Sequence, residues 1–338
     1  MKIHHSLEEA TGATGPAIVT IGSFDGIHIA HQKLLLRVRE LARAEGASSV
    51  AITFDPHPVQ ILAPERAPKL LTPLPMKVEL LRMSGIDRLL ILPFTLEFSG
   101  WSPEQFVEKV LHRALSAKTV VVGDNFRFGH QQSGTPQVLR ELGLRFDFQT
   151  EVLPSLSLRK VTVSSSKIRR LLNDGNVKLA NRLLGRYFSV RSRIAAGLGI
   201  GRAKTVPTLN LGAYSGLLPG SGVYVTSTRL WTEPEAGMED HTDQEPPLEA
   251  PESRQLRSVT NVGRRPTFGE RELGVETHLL EPWDGTPPTH MEVSFLYRLR
   301  DERKFDSAQQ LKSQILEDVR QAERYLWRLE RFRVRVNQ

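Results

Sequence analysis

Two histidines three positions apart, His28 and His31, follow the turn Gly22-Ser23-Phe24-Asp25-Gly26 and precede an apolar-periodic run of Leu34, Leu35, Val38 and Leu41. Imidazoles at this spacing share one face of a first helical turn. A helix start presents backbone N–H groups without intrahelical partners, so such a junction favours a bound phosphate. Two imidazoles aimed at one phosphate stabilise the charge that develops during transfer at phosphorus. Taken singly, a histidine at a helix start is more often a cap or a surface residue. A zinc site is disfavoured, because the chain has no cysteine and no third ligand at helical spacing.

Other stretches carry chemistry of the same kind. Thr53-Phe54-Asp55-Pro56-His57-Pro58 and Gly123-Asp124-Asn125-Phe126-Arg127-Phe128-Gly129 each follow an apolar run. Ser164, Ser165 and Ser166 precede the periodic Ile168, Leu171 and Leu172 and are good helix caps. Arg169 in that first turn opposes the helix dipole unless an anion is present. Gly197, Gly199 and Gly201 stand beside Arg202 and Lys204 in a loop suited to phosphate. Its spacing and surroundings do not fit a dinucleotide-binding unit. Thr208 and Asn210, two residues apart, would share one face of a strand and offer oxygens suited to Mg²⁺. Glu276 beside Val275 could serve as a general base toward a hydroxyl. By spacing alone, an exposed strand carboxylate is the preferred reading.

These groups need elements to position them. From Ala17 to about Gly185, strand-like runs (Ile18 to Ile21, Ser49 to Phe54, Arg88 to Pro93, Lys118 to Val122) alternate with helix-like ones (Met76 to Met83, Pro103 to Leu115). Such alternation predicts a mostly parallel sheet with helices on both faces, and ligands at the carboxyl ends of its strands. Two further helices are expected, one ending near Asn173-Asp174-Gly175 and one from Val177 to Leu184. After Tyr187 the texture changes to strands at Ser189 to Ala195, Val223 to Leu230, Ser258 to Val262, Val275 to Leu280 and Met291 to Leu299. This predicts a small antiparallel barrel or sandwich closed by a helix from about Ser307 to Phe332. The expected domains are 1–186 and 187–338, with a mobile acidic connection at 232–257.

The chain has 338 residues, enough for two domains, and a charged fraction of 25% typical of soluble globular proteins. No apolar run is long enough to span a bilayer, the N-terminus has no signal-peptide core, and cytoplasm is the default location. The net charge is +7. Eight carboxylates and no Lys or Arg lie between Glu233 and Glu252, so the rest of the chain is more basic than the total suggests. Nucleic acid is a rival partner on charge alone, but no basic motif interleaved with aromatics supports it. Binding small polyanions explains the same balance. Self-association is left open.

The Gly22 to His31 stretch resembles the HxGH signature of the nucleotidyltransferase superfamily, in the form found in bacterial FAD synthetases. Ala30 stands where that family usually has Gly. Pro207-Thr208-Leu209-Asn210, Asn261-Val262-Gly263 with Pro266-Thr267-Phe268, Val275-Glu276, and Arg300 to Phe305 with Leu311, Gln314 and Asp318 resemble, in order, the riboflavin kinase module. Together the motifs run from Ile18 to about Asp318 and point to the bacterial bifunctional riboflavin kinase/FMN adenylyltransferase family. The resemblance implies a Rossmann-like nucleotidyltransferase domain followed by a kinase barrel. It implies riboflavin, FMN, FAD and ATP as substrates or products, with Mg²⁺. His28, His31 and Arg169 would serve adenylyl transfer, with Gly22, Phe24, Asp25, Gly26, Ser164 and Ser165 on ATP. Phe54, His57, Asn125 and Phe126 would face flavin or phosphate on the same rim. In the barrel Glu276 would be the base, Thr208 and Asn210 the metal ligands, Gly201 and Arg202 on ATP, and Arg300 and Phe305 on flavin. The chain departs from the kinase pattern at Thr205, Val206 and Leu209 and in the Trp283 turn. The nearest alternative is a monofunctional FMN adenylyltransferase whose barrel only docks flavin.

Overall fold

The computed structural model describes residues 1–11, 15–195, 208–232, 253–264 and 273–336. Gly201, Arg202, Thr205, Val206, the Pro266-Thr267-Phe268 motif and most of the acidic connection lie outside these residues. The chain forms two compact units, Met1–Ser165 and Ser166–Gln338.

In the first unit, β1 (Lys2–His4), β2 (Ala17–Ile21), β3 (Ser48–Asp55), β4 (Arg88–Pro93), β5 (Ala117–Gly123) and β6 (Gln149–Leu153) form one sheet in the order β1-β4-β3-β2-β5-β6. Every neighbouring pair is parallel. A two-strand hairpin, β7 (Ser157–Leu158) and β8 (Val161–Thr162), follows. The helices are α1 (Leu7–Thr11), α2 (Ile29–Glu45), α3 (Pro58–Leu62), α4 (Leu74–Met83), α5 (Leu96–Ser99), α6 (Pro103–Phe106) and α7 (Pro136–Phe146). All five residues of β2 are buried, the pattern of a strand covered on both faces. Val19 and Ile21 pack into one layer with Val107, Val110, Leu111 and Leu139, while Ile18 enters the other with Leu35, Val38 and Leu81. Alternate residues of one strand thus fasten helices to opposite faces.

One expected helix differs in kind. The segment 103–115 starts as α6, capped by Ser102 in a capping box with Gln105, and widens into a π-helix over Val107–Ala114. The wider register still buries Val107, Val110, Leu111 and Ala114 together, so the apolar stripe survives the change.

The second unit opens with α8 (Ser165–Asn173, its first residue still in the first unit) and α9 (Val177–Leu184). Six strands then close an antiparallel barrel: β9 (Phe188–Ala195), β10 (Leu209–Leu211), β11 (Gly222–Trp231), β12 (Arg254–Arg264), β13 (Leu273–Leu279) and β14 (His290–Arg300). Their order around it is β10-β13-β12-β11-β14-β9. Residues 254–257, expected in the acidic connection, belong to β12. Leu256 is buried between polar neighbours and Arg254 to Arg257 pair along β11, so period-2 alternation already starts there. Thr226, Thr228, Ser258, Thr260 and Thr277 are all fully buried and bond to one another at 2.7 to 2.9 Å. That chain satisfies hydroxyls which would otherwise be costly to bury. The alternate residues Val223, Val225 and Val259, with Leu296, pack against Ala322 and Leu326 of α10 (Ala308–Val336). Asn181 of α9 joins helix to barrel, donating to Phe295 O at 2.8 Å and accepting from the N–H of Phe188 at 2.7 Å.

Candidate active sites

In the first unit, β3, β2 and β5 are neighbours, so the clusters after their carboxyl ends share one rim. His28 is extended (φ −72, ψ 171) and caps α2 through Nδ1, which accepts the N–H of His31 at 3.4 Å. It is therefore a cap as well as a candidate site residue, and sits just outside the helical turn in which both imidazoles were expected. The two rings stack with centroids 3.7 Å apart, and Phe24 meets His31 edge-on at 5.2 Å. Burial, His28 and Lys77 hold His31 well below the usual imidazole range. Its Nδ1 is buried without a hydrogen-bond partner. At neutral pH the ring is an uncharged imidazole with a polar atom unspent.

The turn between β2 and α2 is strained: Phe24 (φ 46), Gly26 (φ 86) and Ile27 (φ 36) are all left-handed. Its polar groups have structural tasks that the spacing did not reveal. The N–H of Gly22 donates to Ile52 O at 3.0 Å, and that of Gly26 to Thr72 Oγ1 at 3.0 Å. The buried Asp25 carboxylate accepts the N–H of Leu71 (3.1 Å) and of Thr72 (3.0 Å), and the Thr72 hydroxyl at 3.4 Å. Phe24 lies wholly in the core. Gly22, Phe24, Asp25 and Gly26 thus shape the corner. The N–H groups that helix geometry leaves over for an anion are those of the first turn, at Ile29 and Ala30. Ser165 belongs to the same corner, donating its hydroxyl to Asp25 O at 2.8 Å. Ser164 is half-buried beside it in sequence, and Arg169 lies further along α8, in the second unit.

His57 caps α3 through Nδ1, accepting the N–H of Val59 at 3.3 Å. Phe54 packs against Phe94 and Phe98 at 5.7 and 5.9 Å, Phe98 against Trp101 at 4.9 Å, and Phe126 stacks on Phe128 at 5.3 Å. Asn125 is exposed. The rim therefore carries an aromatic patch beside the histidines, a surface fit for a planar ring.

In the second unit, strand register builds the cluster. Asn210 of β10 lies opposite Glu276 of β13, which lies opposite Asn261 of β12. The three polar residues form a row across adjacent strands, with Thr208 exposed just before β10. Glu276 is exposed. Thr208 and Asn210 supply neutral oxygens, a donor set that suits Mg²⁺ when a nucleotide brings the remaining oxygens. Arg300 is engaged inside the protein: Nε and Nη2 grip Asp318 of α10 at 2.9 and 2.7 Å. Phe305 lies between the guanidinium groups of Arg300 (5.8 Å) and Arg303 (5.0 Å). It lines a groove of about 530 Å³ with Lys304, Gln309, Ser313 and Gln314.

Spacing alone missed Lys77, Thr72 and the Phe98–Trp101 pair. Lys77 carried a signal: it occupies an apolar-stripe position of α4 with Leu74, Val78 and Leu81, and it is buried. Asn261 was legible only as part of a motif, because its place in the row depends on pairing.

A parallel sheet with a histidine corner, followed by a small barrel with an acid–amide row, defines a two-centre transferase of phosphorus-containing groups. The FAD synthetase family model matches residues 11–167 and the riboflavin kinase model residues 184–326. The bifunctional riboflavin kinase/FMN adenylyltransferase of Escherichia coli (strain K12) is 30% identical over 89% of this chain and 90% of its own length. That of Pseudomonas fluorescens is 31% identical over the same shares. A crystal structure from Streptococcus pneumoniae, described as a macrolide-efflux protein, matches with a TM-score of 0.78 and 27% identity over 94% of this chain and 96% of that one. The chain belongs to the bifunctional riboflavin kinase/FMN adenylyltransferase family. Among the described residues no helix is long and apolar enough to cross a membrane.

Proposed function

We propose that the barrel unit transfers the γ-phosphate of ATP to the 5′-hydroxyl of riboflavin, and that the sheet unit joins the resulting FMN to the adenylyl group of a second ATP. The products are FMN, then FAD and pyrophosphate. The observation that carries this reading is that the two family matches fall on two separate compact units, each with its own polar cluster.

In the barrel, Glu276 accepts the hydroxyl proton as the oxygen attacks the γ-phosphorus, while Thr208 and Asn210 orient the phosphates. Mg²⁺, held by Thr208 and Asn210, supplies neutralising charge when bound with ATP. Gly201 and Arg202 complete the ATP loop, and Phe305 with Arg300 borders the flavin. In the sheet unit no enzyme nucleophile is needed, because FMN brings its own phosphate oxyanion. That oxygen attacks the α-phosphorus and the bond to pyrophosphate breaks. His28, His31 and the first turn of α2 meet the ATP phosphates and offset repulsion between two polyanions. Ser164 and Ser165 stand behind the leaving group. Phe54, His57, Asn125 and Phe126 receive the flavin end. The functional division falls at 186/187. Nucleotide substrates and a cysteine-free chain favour the cytoplasm.

Incubating the chain with riboflavin and MgATP, with flavins separated over time, tests the whole reading. FMN is expected to rise first and FAD to follow. Absence of FMN removes the kinase assignment, and FMN without FAD removes the adenylyltransferase assignment.

A further inference from the structure

Lys77 is 2% exposed, on the inward side of α4. A buried lysine is costly unless something uses its charge. Its helix is fastened to the histidine corner at two points: Asp25 takes the N–H groups of Leu71 and Thr72, and Thr72 Oγ1 takes the N–H of Gly26. Thr72 lies two residues before the start of α4, so the clasp sets where the first turn of that helix, and Lys77 within it, comes to rest. There the ammonium acts on His31, whose Nδ1 is buried and unbonded. The carboxylates acting on Lys77 are Asp25, already committed to three donors, and Asp55, exposed at the end of β3. Both help to keep it charged despite burial, which alone lowers its pKa.

A purely structural counter-ion for Asp25 explains less. The backbone and hydroxyl donors already satisfy that carboxylate, and a lysine adds desolvation cost where a leucine would pack on the apolar stripe. A polyanionic ligand arriving at this corner would give the buried ammonium a partner beyond Asp25 and Asp55.

We propose that Lys77 is a phosphate-binding residue of the adenylyl-transfer site, where its ammonium meets the polyphosphate of the nucleotide beside His31. This rests on the adenylyltransferase reading of the sheet unit. Lys77 carries a fixed charge into a dry corner where hydrogen-bond donors alone would be weaker, and it steadies the pyrophosphate as its bond to the α-phosphorus breaks.

The test is Lys77→Met in the full chain, with adenylyl transfer and riboflavin phosphorylation measured on one preparation. The expected loss is about 100-fold in kcat/KM for ATP in adenylyl transfer, the scale seen when one preorganised donor is removed. KM for FMN and the kinase rate should stay within about twofold, and Lys77→Arg should recover part of the loss. Wild-type chain making FAD while Lys77→Met makes it equally well would overturn the proposal and leave the function intact. Wild-type chain making FMN but no FAD would instead sink the reading on which the proposal rests. A second measurement needs no variant: lysine side chains labelled with ¹⁵N, titrated with pyrophosphate. The resonance of the buried lysine should shift on saturation, and a resonance that stays put overturns the proposal.

Discussion

The two centres are built by opposite means. The sheet-unit corner is assembled from loops far apart in sequence: Asp25 reaches Leu71 and Thr72, and Ser165 reaches back to Asp25 across 140 positions. Three left-handed residues in five hold the turn open. The barrel centre needs no such fastening. Asn210, Glu276 and Asn261 line up because three antiparallel strands pair in one register, and a slip of one residue would turn all of one strand's side chains over. Chemistry at the corner thus depends on buried polar clasps, whereas chemistry on the barrel depends on strand pairing.

The largest expected effect separates the centres. His28→Ala removes both a ring of the stack and the cap on α2, and should lower adenylyl transfer by about 10²–10³-fold while riboflavin phosphorylation holds. Glu276→Ala should do the reverse, lowering phosphorylation by about 10²–10⁴-fold through loss of the base. Both rates measured on each variant decide the matter. Parallel loss of the two activities in either variant would mean the centres are not independent.

A smaller effect probes the clasp itself. Thr72→Val keeps shape but withdraws an acceptor from the Gly26 N–H and a donor from Asp25, leaving buried groups short of partners at about 1–3 kcal/mol. Adenylyl transfer should fall about tenfold in kcat/KM, with KM raised and kcat lowered by the loosened corner, and the kinase rate should not change. Denaturant unfolding followed at Trp101 should show the destabilisation in the sheet unit. An unchanged transition there would show that the clasp does not hold the corner.

The same contrast explains what could be read in advance. Every strand of the barrel that alternates clearly was legible, and so was the parallel sheet, because β2 to β5 are apolar runs that stop at Gly22, Asp55, Pro93 and Gly123. The three-residue β1 and the polar β6 were not, since edge strands with Lys2, Gln149 and Glu151 lack the buried-strand signature. His28 and His31 stood out by type and spacing, whereas Glu276 was singled out only by the resemblance to the kinase module. The duties of Asp25, Gly22 and Gly26 were not, because their partners lie 30 to 47 residues away, Ile52 in β3 and Leu71 and Thr72 in a connection without periodicity. Arg300 was read as facing ligand, yet its fork matches the Asp318 carboxylate 18 residues on, a pairing that only the packing of α10 against β14 creates.

Acid should unravel the two units in different windows. In the sheet unit, burial with Arg88 and Lys2 lowers His4, and burial with His28 and Lys77 lowers His31 further. An imidazole held neutral in the fold but free to protonate when unfolded makes the unfolded state bind more protons below the ordinary value of 6.5. Stability there should begin to fall as pH drops through about 6.5. In the barrel, burial alone would raise Glu292, but Arg191, Arg229 and a bond from Ser189 outweigh it and lower its pKa below the ordinary 4.5. Its contribution is fully present above 4.5 and is lost only as pH falls below that, toward the depressed folded value. Between pH 6.5 and 5 the sheet unit should lose several degrees of melting temperature, at about 2–4 °C per kcal/mol for units of this size, while the barrel loses little. Melts of two chains, one keeping Trp101 as its single tryptophan and the other keeping Trp231, resolve the two, because Trp283 and Trp327 also fall in the second unit. In Lys77→Met one of the causes that lowers His31 is removed, so its folded value moves back toward 6.5; the onset in the sheet unit should stay near 6.5 and the total loss on acidification should shrink. A common onset for both units would show that the buried imidazoles carry no net linkage.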